Sequence, residues 1–305
     1  MKANSHKHIV LKLFVISSIV LLFSSQKSVA QEGAYWMGLS FKNPAAIATP
    51  SDWVYGSFSH LAYDFGDYGK ESFNLLTGSF DYRISQKAGT IGFDFYHAKV
   101  YLETANLVKV NYAYDFKVFE AAILSFGISG GTTFYKNALS EYQFNILEPN
   151  DPMFEGLQDE HYKTFNGNIG TFIHSERLSA GLSVTIQEQI SGENNLSIDI
   201  PAVFTGVFAY NIINVENFIL TPNLIVDRSE KNNTAYLGVY AEYKKTIWAG
   251  YQNSDFEDFH SIMFGLDIKQ KIRVGYSYSF NDFLKSETLN THEFVLGYRF
   301  NHKAE

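Results

Sequence analysis

The feature that most restricts this chain is a two-residue alternation of apolar and polar side chains, recurring from about residue 53 almost to the end. It is clearest over residues 271–281. Ile272, Val274, Tyr276, Tyr278 and Phe280 fall on one face, and Lys271, Arg273, Gly275, Ser277, Ser279 and Asn281 fall on the other. A helix would scatter both sets around its circumference, so the segment reads as a strand with one apolar and one polar face. Leu178, Ala180, Leu182, Val184 and Ile186 repeat the pattern, as do Val108, Val110, Tyr112, Tyr114 and Phe116, and again Ile262, Phe264, Leu266 and Ile268.

About fourteen such segments follow one another: 53–65, 71–84, 88–97, 102–116, 120–135, 161–174, 178–188, 200–211, 217–227, 233–243, 245–252, 259–268, 271–281 and 291–300. Their lengths lie near the roughly 9–11 residues of a tilted membrane strand. Connections after even-numbered segments are short, as at Ser85-Gln86-Lys87, Ser175-Glu176-Arg177, Lys244 and Lys269-Gln270. Those after odd-numbered segments are mostly longer, above all 136–160 and 189–199. Short turns on one side and long loops on the other are expected of an antiparallel up-and-down transmembrane β-barrel with tight periplasmic turns.

Periodicity does not say which face points inward, because a soluble barrel and a membrane barrel differ only by inversion. Composition and the N-terminus favour the membrane. Charged residues are 18%, below the usual value of about 25%, while the chain holds 20 Tyr and 27 Phe. Lys2, Lys7 and Lys12 precede an apolar stretch from Leu13 to Phe23, and Ser28-Val29-Ala30 supplies the small residues of a cleavage site. This predicts a signal peptide over 1–30 and a mature start at Gln31. Residues 31–52 carry Asn43-Pro44 and Thr49-Pro50 and read as an irregular lead-in suited to plugging the barrel mouth. Residues 53–305 are then an outer-membrane barrel in contact with lipid.

Chemistry-bearing motifs are scarce. The chain has no cysteine, which removes disulfides, thiolate metal sites and a lipid-anchoring cysteine. His60, His97, His161, His174, His260, His292 and His302 show no HxH or HExxH spacing. There is no phosphate loop and no serine-nucleophile elbow, so the expectation is no enzyme, no cofactor and no metal. A formal net charge of −8 without a basic block argues against nucleic acid. Gly127, Gly130 and Gly131 suggest a bend or close packing against a plug.

A family resemblance spans most of the chain. Tyr35-Trp36-Met37 followed by Asn43-Pro44-Ala45 resembles the opening of the PorP/SprF family of Bacteroidota outer-membrane proteins. Gly275-Tyr276-Ser277-Tyr278, then His292-Glu293 and Tyr298-Arg299-Phe300, are similar to its closing motifs. Leu178-Ser179-Ala180-Gly181-Leu182-Ser183-Val184 and the stretch from Tyr236 to Tyr251 fit between them. The sequence departs from the family where Ala46-Ile47-Ala48 lacks a glycine and where Ser279 follows Tyr278.

The resemblance implies a non-enzymatic barrel of the type IX secretion and gliding machinery, which binds a periplasmic machine component or an exported adhesin. It gives Tyr35, Met37, Asn43, Pro44, Ala45, Gly275, Tyr276, Tyr278, His292, Glu293, Tyr298, Arg299 and Phe300 structural or assembly roles. The competing expectation is an outer-membrane channel for small or hydrophobic solutes.

Overall fold

The computed structural model describes residues 38–48, 53–64, 70–85, 87–100, 102–119, 122–139, 158–192, 200–230, 233–254, 259–284 and 287–299. The expected signal peptide, Tyr35, Met37 and Phe300 lie outside them. A four-residue helix, α1 (Leu39–Lys42), and a 3₁₀ turn (Pro44–Ala48) come first. The strands are β1 (Trp53–Asp64), β2 (Lys70–Ser85), β3 (Gly89–Val100), β4 (Glu103–Phe119) and β5 (Ala122–Asn137). Next are β6 (Glu160–Ser175), β7 (Leu178–Gly192), β8 (Val203–Tyr210), β9 (Ile213–Val215) and β10 (Phe218–Arg228). The last are β11 (Asn233–Tyr243), β12 (Ile247–Ser254), β13 (Phe259–Ile268), β14 (Ile272–Leu284) and β15 (Glu287–Arg299).

Each strand pairs antiparallel with its chain neighbour, and β1 pairs with β15 from Trp53↔Arg299 to Ala62↔Asn290, closing the sheet. Strands β8 and β9 both pair with β10, on either side of an interruption at Asn211 and Ile212. They are one stave, so the described strands make 14 staves. Pro222 of β10 lies opposite that interruption, where a residue without an N–H costs no ladder bond.

Two hairpins turn through three residues each, between Tyr243↔Ile247 and Ile268↔Ile272. Lys244 and Lys245 have φ of 53° and 51°, and Lys269 and Gln270 have 52° and 55°. The hydrogen bonds Thr246 N→Tyr243 O (3.0 Å) and Lys271 N→Ile268 O (3.0 Å) complete them. Positive φ at both central residues is the type I′ geometry that matches strand twist. On the opposite side, two connections are shorter than the sequence pattern implies. The β3–β4 and β14–β15 hairpins continue as paired strands to Val100↔Glu103 and Leu284↔Glu287.

Closure settles the direction of the faces. The buried side chains of the wall are largely polar: Asp94 and Asn111 are 0% exposed and Ser277 is 1% exposed. The exposed ones are apolar, with Leu182 at 69%, Ile169 at 66% and Leu296 at 61%. Such an apolar girdle would be intolerable in water but matches a hydrocarbon surrounding. In β14, Ile272 and Val274 point out while Arg273, Ser277 and Ser279 point in, as the alternation requires.

Candidate functional site in the barrel lumen

Residues 38–48 run inside the barrel and pack on β3 through β7. A four-residue helix has no internal partners for most of its carbonyls, so a buried one must find them elsewhere. The bonding here is complete. Leu39 O accepts from Asn43 N (2.8 Å). Ser40 O and Phe41 O accept from the Lys109 ammonium (3.0 and 2.9 Å). Lys42 O accepts from Asn168 Nδ2 and Ser183 Oγ (both 2.7 Å). Asn43 O accepts from Ala46 N (3.0 Å).

Lys109, 4% exposed, is also 3.2 Å from Asp94 Oδ2. Asp94 in turn accepts from Ser40 Oγ (2.9 Å) and Asn111 Nδ2 (2.7 Å). A buried charge is tolerable only when paired and hydrogen-bonded in this way. On the far wall the Lys42 ammonium pairs with Asp227 of β10, whose other oxygen accepts from Thr205 Oγ1 (2.6 Å). The segment is therefore tied to both sides of the lumen.

Asn43 and Ala45, both 0% exposed, form the centre of the contact. Asn43 Nδ2 donates to Thr171 O (3.0 Å) and, over a longer 3.4 Å, to Leu182 O. Its Oδ1 accepts from Ala45 N (3.0 Å). Three strands present glycine beneath this motif. A Cβ at Gly127 would collide with the backbone of Pro44 and Ala45, and one at Gly170 with Asn43 Oδ1. One at Gly181 would lie 2.7 Å from Asn43 Nδ2. Gly127 pairs directly with Gly170 across β5 and β6, which makes a flat seat without side chains. Of the glycines singled out in β5, Gly127 meets this segment, Gly131 is pressed against the backbone of Val108 and Lys109, and Gly130 lies near Phe165.

Below α1, toward the short turns, lies a cavity of about 530 Å³. Leu39 covers it, Phe172, Val207 and Ile225 line its apolar side, and Lys245 and Arg299 stand at its mouth. On its polar wall Arg273 donates to both oxygens of Asp267 (2.7 and 2.5 Å) and approaches Glu242 at 3.8 Å. Tyr240 OH donates to Glu242 Oε2 (2.9 Å). The Arg273 guanidinium also lies 5.7 Å from the centroid of the Trp248 ring. Trp248 is 1% exposed and fits only because Gly265 and Gly275 face it, a Cβ at Gly275 falling 2.5 Å from the ring.

The motif residues divide between the two faces. Asn43, Pro44 and Ala45 sit on the glycine seat, and Gly275 makes room for Trp248. Glu293 is buried inward at 2% exposed. Tyr276, Tyr278 and His292 face outward, with Tyr276 OH 2.6 Å from His292 Nδ1 and the Tyr278 ring tilted against the His292 ring at 5.3 Å. Tyr298 faces outward, whereas Arg299 lines the cavity. His292 and Glu293 therefore point to opposite sides of the wall and cannot share a substrate. They lie mid-strand in β15, which begins at Glu287 and not at the expected residue 291.

Among the other described histidines, His60 stands opposite His292 in the β1–β15 register, and no acid–histidine group forms with them. His97 is exposed beside Asn106 (2.7 Å), while His174 borders the cavity and meets Ser179 Oγ (2.9 Å). Among the described residues no group of acids and histidines could hold a metal. Lys109, Asp94, Gly170 and the Arg273–Asp267–Glu242 group escaped sequence reasoning. The signal that could have found the first of them is a lysine flanked by Val108 and Val110 on the polar face of β4.

Two solved structures illustrate the fold likeness. The Pseudomonas putida toluene transporter TodX is 10% identical with a TM-score of 0.51, over 91% of this chain and 96% of that one. The CymD monoaromatic hydrocarbon channel is 9% identical with a TM-score of 0.50, over 92% and 95%. At such identity the likeness concerns architecture alone. No curated protein matches the sequence. The family model of the type IX secretion system membrane protein PorP/SprF matches residues 68–298. With its outer-membrane barrel fold and a match over most of its length, the chain belongs to the PorP/SprF family of type IX secretion system membrane proteins.

Proposed function

We propose that this chain is a plugged, non-enzymatic scaffold of the type IX secretion and gliding machinery, which binds a periplasmic machine component or an exported surface adhesin. The observation that carries the reading is the bonding of residues 38–48. Every carbonyl from Leu39 to Asn43 has a partner, and the segment is anchored on opposite walls. A segment held this way acts as a permanent plug, and a barrel so filled serves as a platform rather than a conduit. Its working surfaces are the turns, the loops and the rims. Site-specific photo-crosslinkers at Lys87 and Lys245, compared with others at Leu182 and Ile169 on the lipid face, test this in the native cell. Adducts of defined mass from the turns alone are expected. Loss of surface-displayed secreted protein on deleting the gene should accompany them. Wild-type secretion together with turns that capture nothing would refute the assembly role.

The apolar side of the cavity, with Phe172, Val207 and Ile225, favours a second reading, a channel for small hydrophobic solutes. Planar-bilayer conductance and solute uptake into vesicles decide between them. A silent barrel is expected from the plug, and solute flux through the intact chain would favour the channel.

A further inference from the structure

The cavity beneath α1 and the turns around its mouth differ sharply in character. One wall of the cavity is apolar, from Leu39, Phe172, Val207 and Ile225, and the other carries the Arg273–Asp267–Glu242 group. Its mouth is cationic along one arc. The turn Lys244-Lys245-Thr246 and the turn Lys269-Gln270-Lys271 stand side by side, joined by Asp267 N→Thr246 O (2.6 Å). The end of β15 adjoins them through Arg299 N→Lys271 O (2.7 Å). Lys245, Gln270 and Arg299 border the cavity itself.

The nearby described acids do not cancel the charge of the lysine turns. Asp267 and Glu242 turn into the lumen toward Arg273. Among the described residues Glu216, in the neighbouring β9–β10 turn, is a further acid close by, since Lys244 N donates to Asn217 O (2.8 Å). No ion pair joins Lys245, Lys269 or Lys271 to an acid among the described residues. Backbone geometry sharpens the point. Lys244, Lys245 and Lys269 all have φ above 50°, a region that favours Gly or Asn. The turns thus carry long cations in positions where lysine is conformationally disfavoured, as happens where side-chain chemistry matters more than turn stability.

We infer that this vestibule is a periplasmic docking site for an acidic, extended polypeptide segment carrying one bulky apolar side chain. The apolar residue enters the cavity, and carboxylates on either side of it lie along the two lysine turns. The spread of charge selects this ligand over a fatty acid, whose single carboxylate would engage one cation and leave the neighbouring turn unused. A cavity of about 530 Å³ accommodates an aromatic side chain with room for its flanking backbone. The identification of the segment as part of a machine component or exported protein rests on the assembly role proposed above, whereas the site rests on the vestibule alone.

The test uses the full mature chain folded in zwitterionic detergent, read by fluorescence anisotropy. The probes are a labelled peptide with a central Phe flanked by Asp and Glu, a Lys-flanked analogue, and a Ser-for-Phe analogue. Unlabelled laurate serves as competitor. The acidic Phe peptide should bind saturably and lose affinity about tenfold in the Lys245→Gln/Lys269→Gln/Lys271→Gln variant. Raising salt from about 50 to 300 mM should weaken it several-fold. Ala209→Trp, which fills the cavity, should weaken it without altering the turns. Retained heat-modifiable migration verifies that each variant is folded. Equal binding of the Lys-flanked peptide, indifference to both variants, or displacement by laurate at the affinity of a cognate ligand would overturn the inference. Peptide binding without any crosslinked partner in cells would instead leave the site standing and sink the assembly reading.

Discussion

Replacing Asn43 with alanine should loosen the N-terminal segment while leaving the barrel wall intact. The side chain is wholly buried between Gly170 and Gly181. It makes two hydrogen bonds of 3.0 Å, to Thr171 O and from Ala45 N, and one long contact to Leu182 O. Each good bond contributes about 1 kcal/mol net. Truncation also leaves the buried Ala45 N–H without its acceptor and opens a small void, adding roughly 1 kcal/mol or more. The sum is about 3 kcal/mol, which raises the undocked population on the order of a hundredfold.

Hydrogen exchange reads this directly, because the Ala46 amide donates to Asn43 O (3.0 Å), a backbone bond that survives the substitution. Exchange of that amide should accelerate about a hundredfold while the ladder amides of β5 to β7 keep their protection. Gly170→Ala, whose Cβ collides with Asn43 Oδ1, should give the same signature. Unchanged protection at Ala46 would refute the docking account. Equal acceleration across β5 to β7 would show that Asn43 braces the wall rather than the segment.

Lys109→Met removes the donor to Ser40 O and Phe41 O and strands Asp94. It should destabilise the docked segment by about 3–5 kcal/mol, seen as protease sensitivity near residue 41. Val110→Arg places a charge on the outward face midway along β4 and should cost about 2–4 kcal/mol in refolding equilibria in lipid vesicles. An unchanged refolding midpoint would contradict the assigned face. Gln270→Gly relieves a positive-φ residue in a type I′ turn and should stabilise the barrel by about 1 kcal/mol in denaturant titration, so a loss of stability would argue against that turn geometry.

Strand content and order were legible in the sequence because a strand writes its two environments into alternate residues. The even number of staves and the short turns at Glu176-Arg177 and Lys269-Gln270 followed from the same pattern. Less legible were elements set by non-local contact. The break between β8 and β9 depends on Pro222 across the sheet, and the extended β14–β15 hairpin depends on pairing that outlasts the alternation. The lumen site was nearly invisible. Asn43 was singled out only by its motif, and its partners Thr171 and Leu182 lie 128 and 139 residues away. Gly170 and Gly181 look like ordinary small residues until the segment that needs them is in place.

By itself, then, the sequence determined that residues 53 to 300 alternate between two unlike environments and turn back on themselves about fourteen times. A period of two is symmetric, however, and does not distinguish a wall with lipid outside from one with lipid-like side chains inside. That choice belongs to the tertiary structure. Once β1 meets β15, the polar set, with Asp94, Asn111 and Ser277, has only the lumen to occupy, and the set with Leu182, Ile169 and Leu296 has only the bilayer. Closure also creates the enclosed polar interior in which Lys109 and Asn43 can hold a short helix, and no local stretch of chain encodes that interior.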